Sequence, residues 1–395
     1  MNKFPKHWQV KKLGEICENI SAGGDKPDKF SPIKTDEFKI PIYSNGIKDD
    51  GLYGYTNLPT IYKKAVTISA RGTIGFVCVR NEPFCPIVRL IAAIPDDKIL
   101  NLIFLAYTLK YKIPFGEGSS IPQLTLPNFR QIEISLPSLD EQNLIVKKIE
   151  SCFEKIDFAI SNFKKSKELI EIYKQSVLSH AFNGKLTNSN LNSWQVKKLG
   201  GICEIVSGGT PNTGNKSFWD DEFNASSIFW ATLVDTKSKY IYGTKRKITQ
   251  LGLQSSSARI LPVNSVLFSS RATIGNVCVA KVELCTNQGF KNFICQADEL
   301  HYEFLYYFLN FAKTDIENLA KGTTYKEISK TNIENIKIPL PNLQTQAQIV
   351  FQIEKHFKAA DSVLNLIEQN LKKAEILKQS ILRKAFNGEL VKDKK

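Results

Sequence analysis

Few stretches of this chain hold residues whose types and spacing could do chemistry. GTPNTGNKS at 209–217 comes close to a phosphate-cradling P-loop. However, Asn215 interrupts the Gly-Lys step that must place backbone amides and an ammonium on the same phosphates. The earlier counterpart, GGDKPDKFS at 23–31, has nothing like it, so nucleotide chemistry is not expected. Pro95-Asp96-Asp97-Lys98 is a poor fragment of a nuclease signature and reads more simply as a helix N-cap. The four histidines, His7, His180, His301 and His356, are scattered, and no CxxC pair exists, so a zinc site or His-based catalysis lacks its parts. No dinucleotide GxGxxG, no NPPY or DPPY tetrad and no HExxH occurs. No catalytic residue and no metal ligand is therefore assigned, and no cofactor is expected on this chain. What remains is a pair of arginines, Arg71 in ARGTIGFVCV and Arg271 in SRATIGNVCV, each between a strand-like run and a tight turn. Such an arginine either meets a phosphate or base, or bonds loop carbonyls; residue type leaves both readings open.

Those two arginines belong to a larger repetition. WQVKKLGEIC at 8–17 returns as WQVKKLGGIC at 194–203, an offset of 186. The arginine motifs lie 200 apart. From Gly118 and Gly322 onward the offset is fixed at 204, through Gln142 and Gln346, to SVLSHAFNGKL (176–186) and SILRKAFNGEL (380–390). The front of each copy has drifted in length, whereas the rear has tolerated no net insertion. Loops absorb extra residues, but each residue added to a packed helix rotates all later side chains by about 100°. Each rear part should thus be a long helix and each front part a globular head. The divisions expected are 1–137 for the first head, 138–186 for the first helical region, 187–341 for the second head and 342–395 for the second helical region.

Heptads support this. Ile149, Ile156, Phe163, Ile170 and Val177 recur every seven residues, as do Ile353, Ala360, Ile367, Ala374 and Ile381. Ile145, Cys152, Ala159 and Tyr173 and, in the second copy, Ile349, Val363 and Leu377 are expected at the partner seam position, and Phe357, Leu364 and Leu371 to broaden the stripe. Ser138-x-x-Glu141 resembles a capping box, and Asn183-Gly184 and Asn387-Gly388 supply stops. Two seams of equal length in one chain predict that the helices pack on each other, antiparallel, with pseudo-twofold symmetry. The expected fold class is α+β, two homologous heads separated by two long antiparallel coiled-coil helices.

With 53 Lys plus Arg against 39 Asp plus Glu, the chain carries +14, shared as +6 over residues 1–190 and +8 over 191–395. A polyanion, nucleic acid first, is the partner such charge suggests. The N-terminus has no apolar signal-peptide core and no run approaches a membrane span, so a cytoplasmic protein with no membrane partner is expected. Cys17 and Cys203, Cys78 and Cys278, and Cys85 and Cys285 recur in apolar runs, as buried thiols do.

The loops of each head offer the side chains a DNA groove asks for. In the first head the candidates are Lys26, Ser44, Asn45, Lys48, Tyr53, Arg71, Thr73, Ser119, Ser120 and Gln123. In the second they are Thr210, Asn212, Lys216, Lys245, Arg271, Thr273, Asn287, Gln288, Lys291, Thr323, Thr324 and Lys326.

With these residues in view, the chain resembles, over essentially its whole length, the specificity subunit of type I restriction-modification systems. The resemblance rests on the W-x-V-x-x-L-G openings (Trp8 to Gly14, Trp194 to Gly200), the R-x-T-I-G turns, IEISLPSLDEQ and IKIPLPNLQTQ, and the closing AFNG(K/E)L, in that order, twice. The first head departs by reading GGDKP where the family often has GGTP, which puts a role for Asp25 or Lys26 in doubt. The resemblance implies two target-recognition domains that each read one half-site of a split, asymmetric double-stranded DNA target, with the helices as a ruler for the spacer. It implies two modification subunits docked on the chain, which carry the S-adenosylmethionine site, and motor and nuclease subunits that can join. The chain itself would make and break no bond. Two other classes stay open: a coiled-coil structural adaptor whose charge is incidental, and an autonomous DNA-modifying enzyme with an unfamiliar site.

Overall fold

The computed structural model describes residues 4–113, 116–117, 124–187, 191–220, 222, 224, 226–320 and 327–391. The chain divides into two units, residues 1–164 with 367–395, and residues 165–366.

In unit 1, β1 (Gln9–Lys12), β2 (Cys17–Ala22), β3 (Ala65–Ile68), β4 (Val77–Arg80) and β5 (Ile91–Pro95) precede helix α1 (Leu102–Lys112). β6 (Glu133–Leu136) then leads into α2 (Leu139–Phe182), a helix of 44 residues of which 139–164 belong to this unit. The main sheet has the order β2-β5-β3-β4, and β1 pairs with β6 antiparallel, Gln9 opposite Leu136. Asn101 caps α1 by accepting from the amides of Ile103 and Phe104. Phe104, Leu105 and Leu109 are fully buried in one core with Ile68, Ile91, Ile145 and Ile149.

Unit 2 repeats this plan with β7 (Gln195–Lys198), β8 (Cys203–Ser207), β9 (Tyr240–Ile241), β10 (Val266–Ser269), β11 (Val277–Ala280), β12 (Phe290–Cys295), α3 (Tyr302–Phe311), β13 (Lys337–Leu340) and α4 (Leu343–Phe386). Its sheet order is β8-β12-β10-β11-β9, one strand more than in unit 1. The extra strand β9 pairs in parallel with the outer edge of β11.

Each unit is built from pieces far apart in sequence. Unit 1 takes the end of α4, where Phe386 packs on Phe104 and Tyr111 with ring centroids 5.4 Å apart in both cases. Unit 2 takes the end of α2, where Phe182 packs on Phe304, Phe308 and Phe311. Within each unit the two helix segments run antiparallel. Lys378 pairs with Asp157 in unit 1, and Lys174 pairs with Asp361 in unit 2 at 2.7 Å. Adding 204 to Asp157 gives Asp361 and to Lys174 gives Lys378, so one ion pair is the image of the other. The helix ends are closed by Gly184 and Gly388 at φ +68° and +73°, a conformation glycine reaches without a Cβ clash.

The seam holds. Ile149, Ile156, Val177, Ile353, Ala360, Ile367 and Ile381 are buried, and Phe163, Ile170 and Ala374 are half-buried. The flank is covered in part. At the partner position Ile145 and Ile349 are buried and Cys152 and Ala159 half-buried, whereas Tyr173, Val363 and Leu377 are 43–50% exposed; Phe357, Leu364 and Leu371 are half-buried. A pair of helices covers only a narrow stripe, and the partner position is best covered where the helix also packs on a head, at Ile145 and Ile349.

The repeated motifs mark where head meets helix. Gln142 is fully buried; its Nε2 donates to Ile99 O and Pro137 O, both at 2.9 Å, and its Oε1 accepts from Asn101 N at 2.8 Å. Gln346 does the same with Glu299 O, Pro341 O and His301 N. The capping box closes only halfway: Ser138 accepts from Glu141 N, but the Glu141 carboxylate turns to Trp8 Nε1 and His7. The thiols sit as the apolar runs imply, with Cys85, Cys203, Cys278 and Cys285 buried and Cys17 and Cys78 half-buried. No helix among the described residues is long and apolar enough to cross a membrane.

Candidate nucleic-acid interface

In the first head the ends of the sheet strands hand the chain to loops that one side chain ties together. Asn45 accepts from Ala70 N at 2.8 Å and donates to Val88 O at 2.6 Å. Gly23 and Gly24 add backbone bonds to Leu90, Arg89 and Val88. Gly23 has no room for a side chain, since a Cβ there would lie 2.5 Å from the Pro86 carbonyl carbon. The result is a cluster made of 23–26, 44–51, 69–75 and 86–90. On it Arg71 is exposed, with no hydrogen-bond or ion-pair partner for its guanidinium among the described residues, next to Gly72 at φ +70°. Arg89 is also exposed, held at φ +61° beside Val88 at φ +52°. A positive φ in two consecutive non-glycine residues is costly and marks a loop whose shape is over-determined by its bonds. Lys26 lies 4.0 Å from the Phe30 ring centre, and Phe30 packs on Tyr53, which is 45% exposed. Lys48 is exposed on a short turn with Asp49 and Asp50.

Not every candidate is free to meet a ligand. The Asn45 amide is spent on the loop clamp, so its role is to hold Arg71 and Arg89 in place. The Thr73 hydroxyl is buried without a partner among the described residues. Ser44 is half-buried and its amide bonds Gly51 O. Ser119, Ser120 and Gln123 lie outside the described residues.

The second head builds its loop cluster differently. Thr210 bonds Gln288, and Asn287 folds its own turn by accepting from Gly289 N at 2.9 Å. Gly208 lies so close to Asn287 O that a Cβ would fall 1.9 Å from it. Arg271 packs over Gly289, where a Cβ would stand 3.4 Å from the arginine Nε. Its guanidinium has no hydrogen-bond or ion-pair partner among the described residues. Asn212, Lys216, Lys245 and Thr273 are exposed. Lys291 is only 8% exposed and faces Glu327 at 3.6 Å, so it is a paired strand residue and not a free cation. Thr323, Thr324 and Lys326 lie outside the described residues.

Two exposed cations escaped the sequence reading. Arg89 was hidden in PIVRL, which looks like part of a strand. Arg246 lies 3.7 Å from the ring centre of Trp219, which packs edge-on against Trp230 at 4.9 Å. A guanidinium stacked on an aromatic face is presented rigidly, a useful state for meeting a phosphate or base. The stretch TKRK at 244–247 gave the charge; the partner aromatics came from elsewhere in the chain.

The chain matches the family model for the type I restriction modification DNA specificity domain twice, over residues 5–170 and 192–373. A putative type I specificity subunit of Mycoplasma pneumoniae is 36% identical over 178 residues, 44% of this chain and 48% of that protein. The MjaIX specificity subunit of Methanocaldococcus jannaschii is 34% identical over 194 residues, 48% of this chain and 42% of that protein. In both matches the chain spans less than half of the relative's length. The EcoKI specificity subunit of Escherichia coli K12 is 22% identical over 98% of this chain and 90% of its own. In fold, the chain is similar to a chain from a type I R-M system structure concerned with complex assembly and conformational transition, with a TM-score of 0.75 at 20% identity over 98% of this chain and 99% of that one. It is also similar to the HsdS subunit from Thermoanaerobacter tengcongensis, with a TM-score of 0.57 at 19% identity over 98% of both chains. With two family-model matches that together cover most of its length, the chain belongs to the type I restriction modification DNA specificity domain family.

Proposed function

We propose that this chain is the DNA sequence-specificity subunit of a type I restriction-modification complex. Each head reads one half-site, the two long helices set the unread spacer, and modification subunits dock on the chain. The observation that carries this reading is one scaffold written twice with two different loop clusters. The same glutamine clamp and strand pairing recur, but Arg71 and Arg89 stand where the second head has Arg271, Gly289 and the Arg246–Trp219 stack. Two different readers imply a split and asymmetric target. The cations supply a salt-dependent phosphate contribution, and the exposed loop side chains supply base contacts. Methyl transfer and S-adenosylmethionine binding belong to the modification subunits, two per chain on the twofold logic of the repeat, and restriction subunits join that assembly.

The test is co-expression with the neighbouring modification subunit and genome-wide mapping of methylated adenine. A bipartite motif with a fixed gap is expected. A single contiguous motif would refute independent readers, and a stable complex without methylation would move the reading to a structural adaptor. Turnover by the chain alone with DNA and cofactor would sink it in favour of an autonomous enzyme.

A further inference from the structure

The internal repeat exposes one place where the units differ in a way that predicts a ligand. In unit 2, Tyr307 of α3 packs edge-on against Phe357 of α4 at 5.8 Å, and Lys174 sits over Phe357 and pairs with Asp361. Unit 1 has the same constellation: Tyr107 packs edge-on on Phe153 at 5.6 Å, and Lys378 sits over Phe153 and pairs with Asp157. Unit 2 adds a segment that unit 1 lacks. Strand β9 lies along β11, with Val279 N donating to Lys239 O and Lys281 N to Ile241 O, each at 2.8 Å. It sends the Lys239 ammonium to Glu354 at 2.5 Å, Tyr307 OH at 3.1 Å and Glu303 at 3.3 Å. Ile241 covers Cys278, which is fully buried.

In unit 1 Tyr107 and Glu150 stand for Tyr307 and Glu354, Ile103 replaces Glu303, and the segment is missing. β4 is the outer strand of its sheet. Its register on β3, Val66 opposite Val79, is that of Val266 opposite Val279, so Val79 N points outward as Val279 N does. Among the described residues no backbone acceptor faces Val79 N or Asn81 N. Cys78 and Val79 are half-buried where Cys278 and Val279 are sealed. The turn carrying Asp50 reaches Arg80, which donates to Asp50 O, and the Asp50 carboxylate reaches the Cys78 thiol, but the turn leaves the amides of Val79 and Asn81 without a backbone partner among the described residues. Beside this edge, where Lys239 would lie, is a cavity of about 590 Å³. Its charged lining is Lys110 and Lys378 against Glu150, Glu154, Asp157 and Glu375, a net −2 in a chain of +14. Glu150, the counterpart of Glu354, has no ion pair or hydrogen bond among the described residues. An unpaired strand edge flanked by a side-chain pocket is the geometry of strand addition, where main-chain bonds give affinity and the pocket gives selectivity.

We infer that unit 1 is a strand-accepting site: the open edge of β4 and the acidic cavity beside it take an extended segment of a partner protein that presents a lysine to Tyr107 and Glu150. The aliphatic residue two places on meets Cys78 beside Asp50, where unit 2 has Ile241 on Cys278. This surface borders the loop cluster at Gly75 and Asp50 but uses neither Arg71 nor Arg89, and it does not depend on the DNA reading.

The probe is a fluorescein-labelled peptide of the chain's own sequence 236–244, TKSKYIYGT, titrated into the full-length protein by fluorescence anisotropy. Saturable one-to-one binding is expected. Replacing the peptide's Lys239 by norleucine, or Glu150 of the protein by glutamine, should weaken it at least tenfold, and the bound peptide should slow alkylation of Cys78. Glu150 is exposed, so Glu150→Gln leaves the fold intact. Absence of saturable binding, or binding indifferent to norleucine and to Glu150→Gln, overturns the proposal. Sensitivity to Glu354→Gln in place of Glu150→Gln would mean strand exchange in unit 2 and would equally overturn it. So would competition by butylammonium as effective as the peptide, because that is a cation hole without a strand.

Discussion

Replacing Gln346 by methionine removes three hydrogen bonds while keeping the side chain's length and flexibility. The glutamine is fully buried and serves His301 N, Glu299 O and Pro341 O. The His301 amide would be left with no partner inside the protein, and the two carbonyls would each lose one. A buried group left unsatisfied costs about 1–3 kcal/mol, with carbonyls at the lower end because they keep a second lone pair. The expected loss in unit 2 is therefore about 3–5 kcal/mol, a large share of the ~5–15 kcal/mol that a domain has. Urea unfolding read by fluorescence reports mainly on unit 2, since Trp194, Trp219 and Trp230 lie there and only Trp8 lies in unit 1. Hydrogen exchange gives a local readout: the His301 amide should exchange about 100-fold faster, as ~3 kcal/mol requires. Gln346→Glu can still accept from His301 but turns an oxygen toward both carbonyls, so at neutral pH it should be at least as damaging as methionine. A loss below about 1 kcal/mol for Gln346→Met, with His301 exchange unchanged, would refute the view that this motif clamps head to helix.

Other outcomes follow from the same geometry. Arg71→Ala and Arg271→Ala in the assembled complex should each weaken DNA binding by about 1–3 kcal/mol or lower the salt slope by about 1. Methylation mapping should show recognition relaxed in one half-site only, a different half for each. Glu303 is held below its ordinary value of 4.5, because the hydrogen bond from Tyr240 and the charge of Lys239 overcome burial, which pushes the other way. Its contribution is thus complete above about 4.5, the value of the unfolded chain, and is lost as pH falls below it; acid unfolding of unit 2 should shift to lower pH in Glu303→Gln relative to its own neutral stability. Iodoacetamide at pH 8 should label Cys152, half-buried, before Cys278 and Cys285, whose thiols are fully covered and pushed up to about 12 by burial; peptide mapping by mass spectrometry checks the order.

The long helices were legible because their period is a property of the chain itself: Ile149, Ile156, Phe163, Ile170 and Val177 announce a stripe before any partner is known. The glutamine of each IxLP-to-Q stretch was visible as a repeated letter, but its role was not, since two of the three groups each one bonds lie 41–47 residues away. The loop residues were read by type, and type cannot say which way an amide faces. Asn45 and Lys291 were read as DNA contacts by type alone, whereas the fold engages the amide of one in a loop clamp and the ammonium of the other in an ion pair. Arg246 shows the opposite failure, because its aromatic support comes from Trp219 and Trp230, which only the fold brings to it. The added strand Tyr240–Ile241 is two residues long, too short for any alternation to reveal.

That the first unit borrows residues 367–391 also sets an order of events on the ribosome. Phe386, which covers Phe104 and Tyr111, is synthesised 222 residues after Lys164. At about 5–20 residues per second, the earliest part of the chain waits roughly 11–44 s for its last wall. The first head to emerge is the last to be sealed, and over that interval its aromatic face is open to chaperones or to a neighbouring nascent chain. A ribosome that stalls after the second head would release a protein whose defect lies at its beginning.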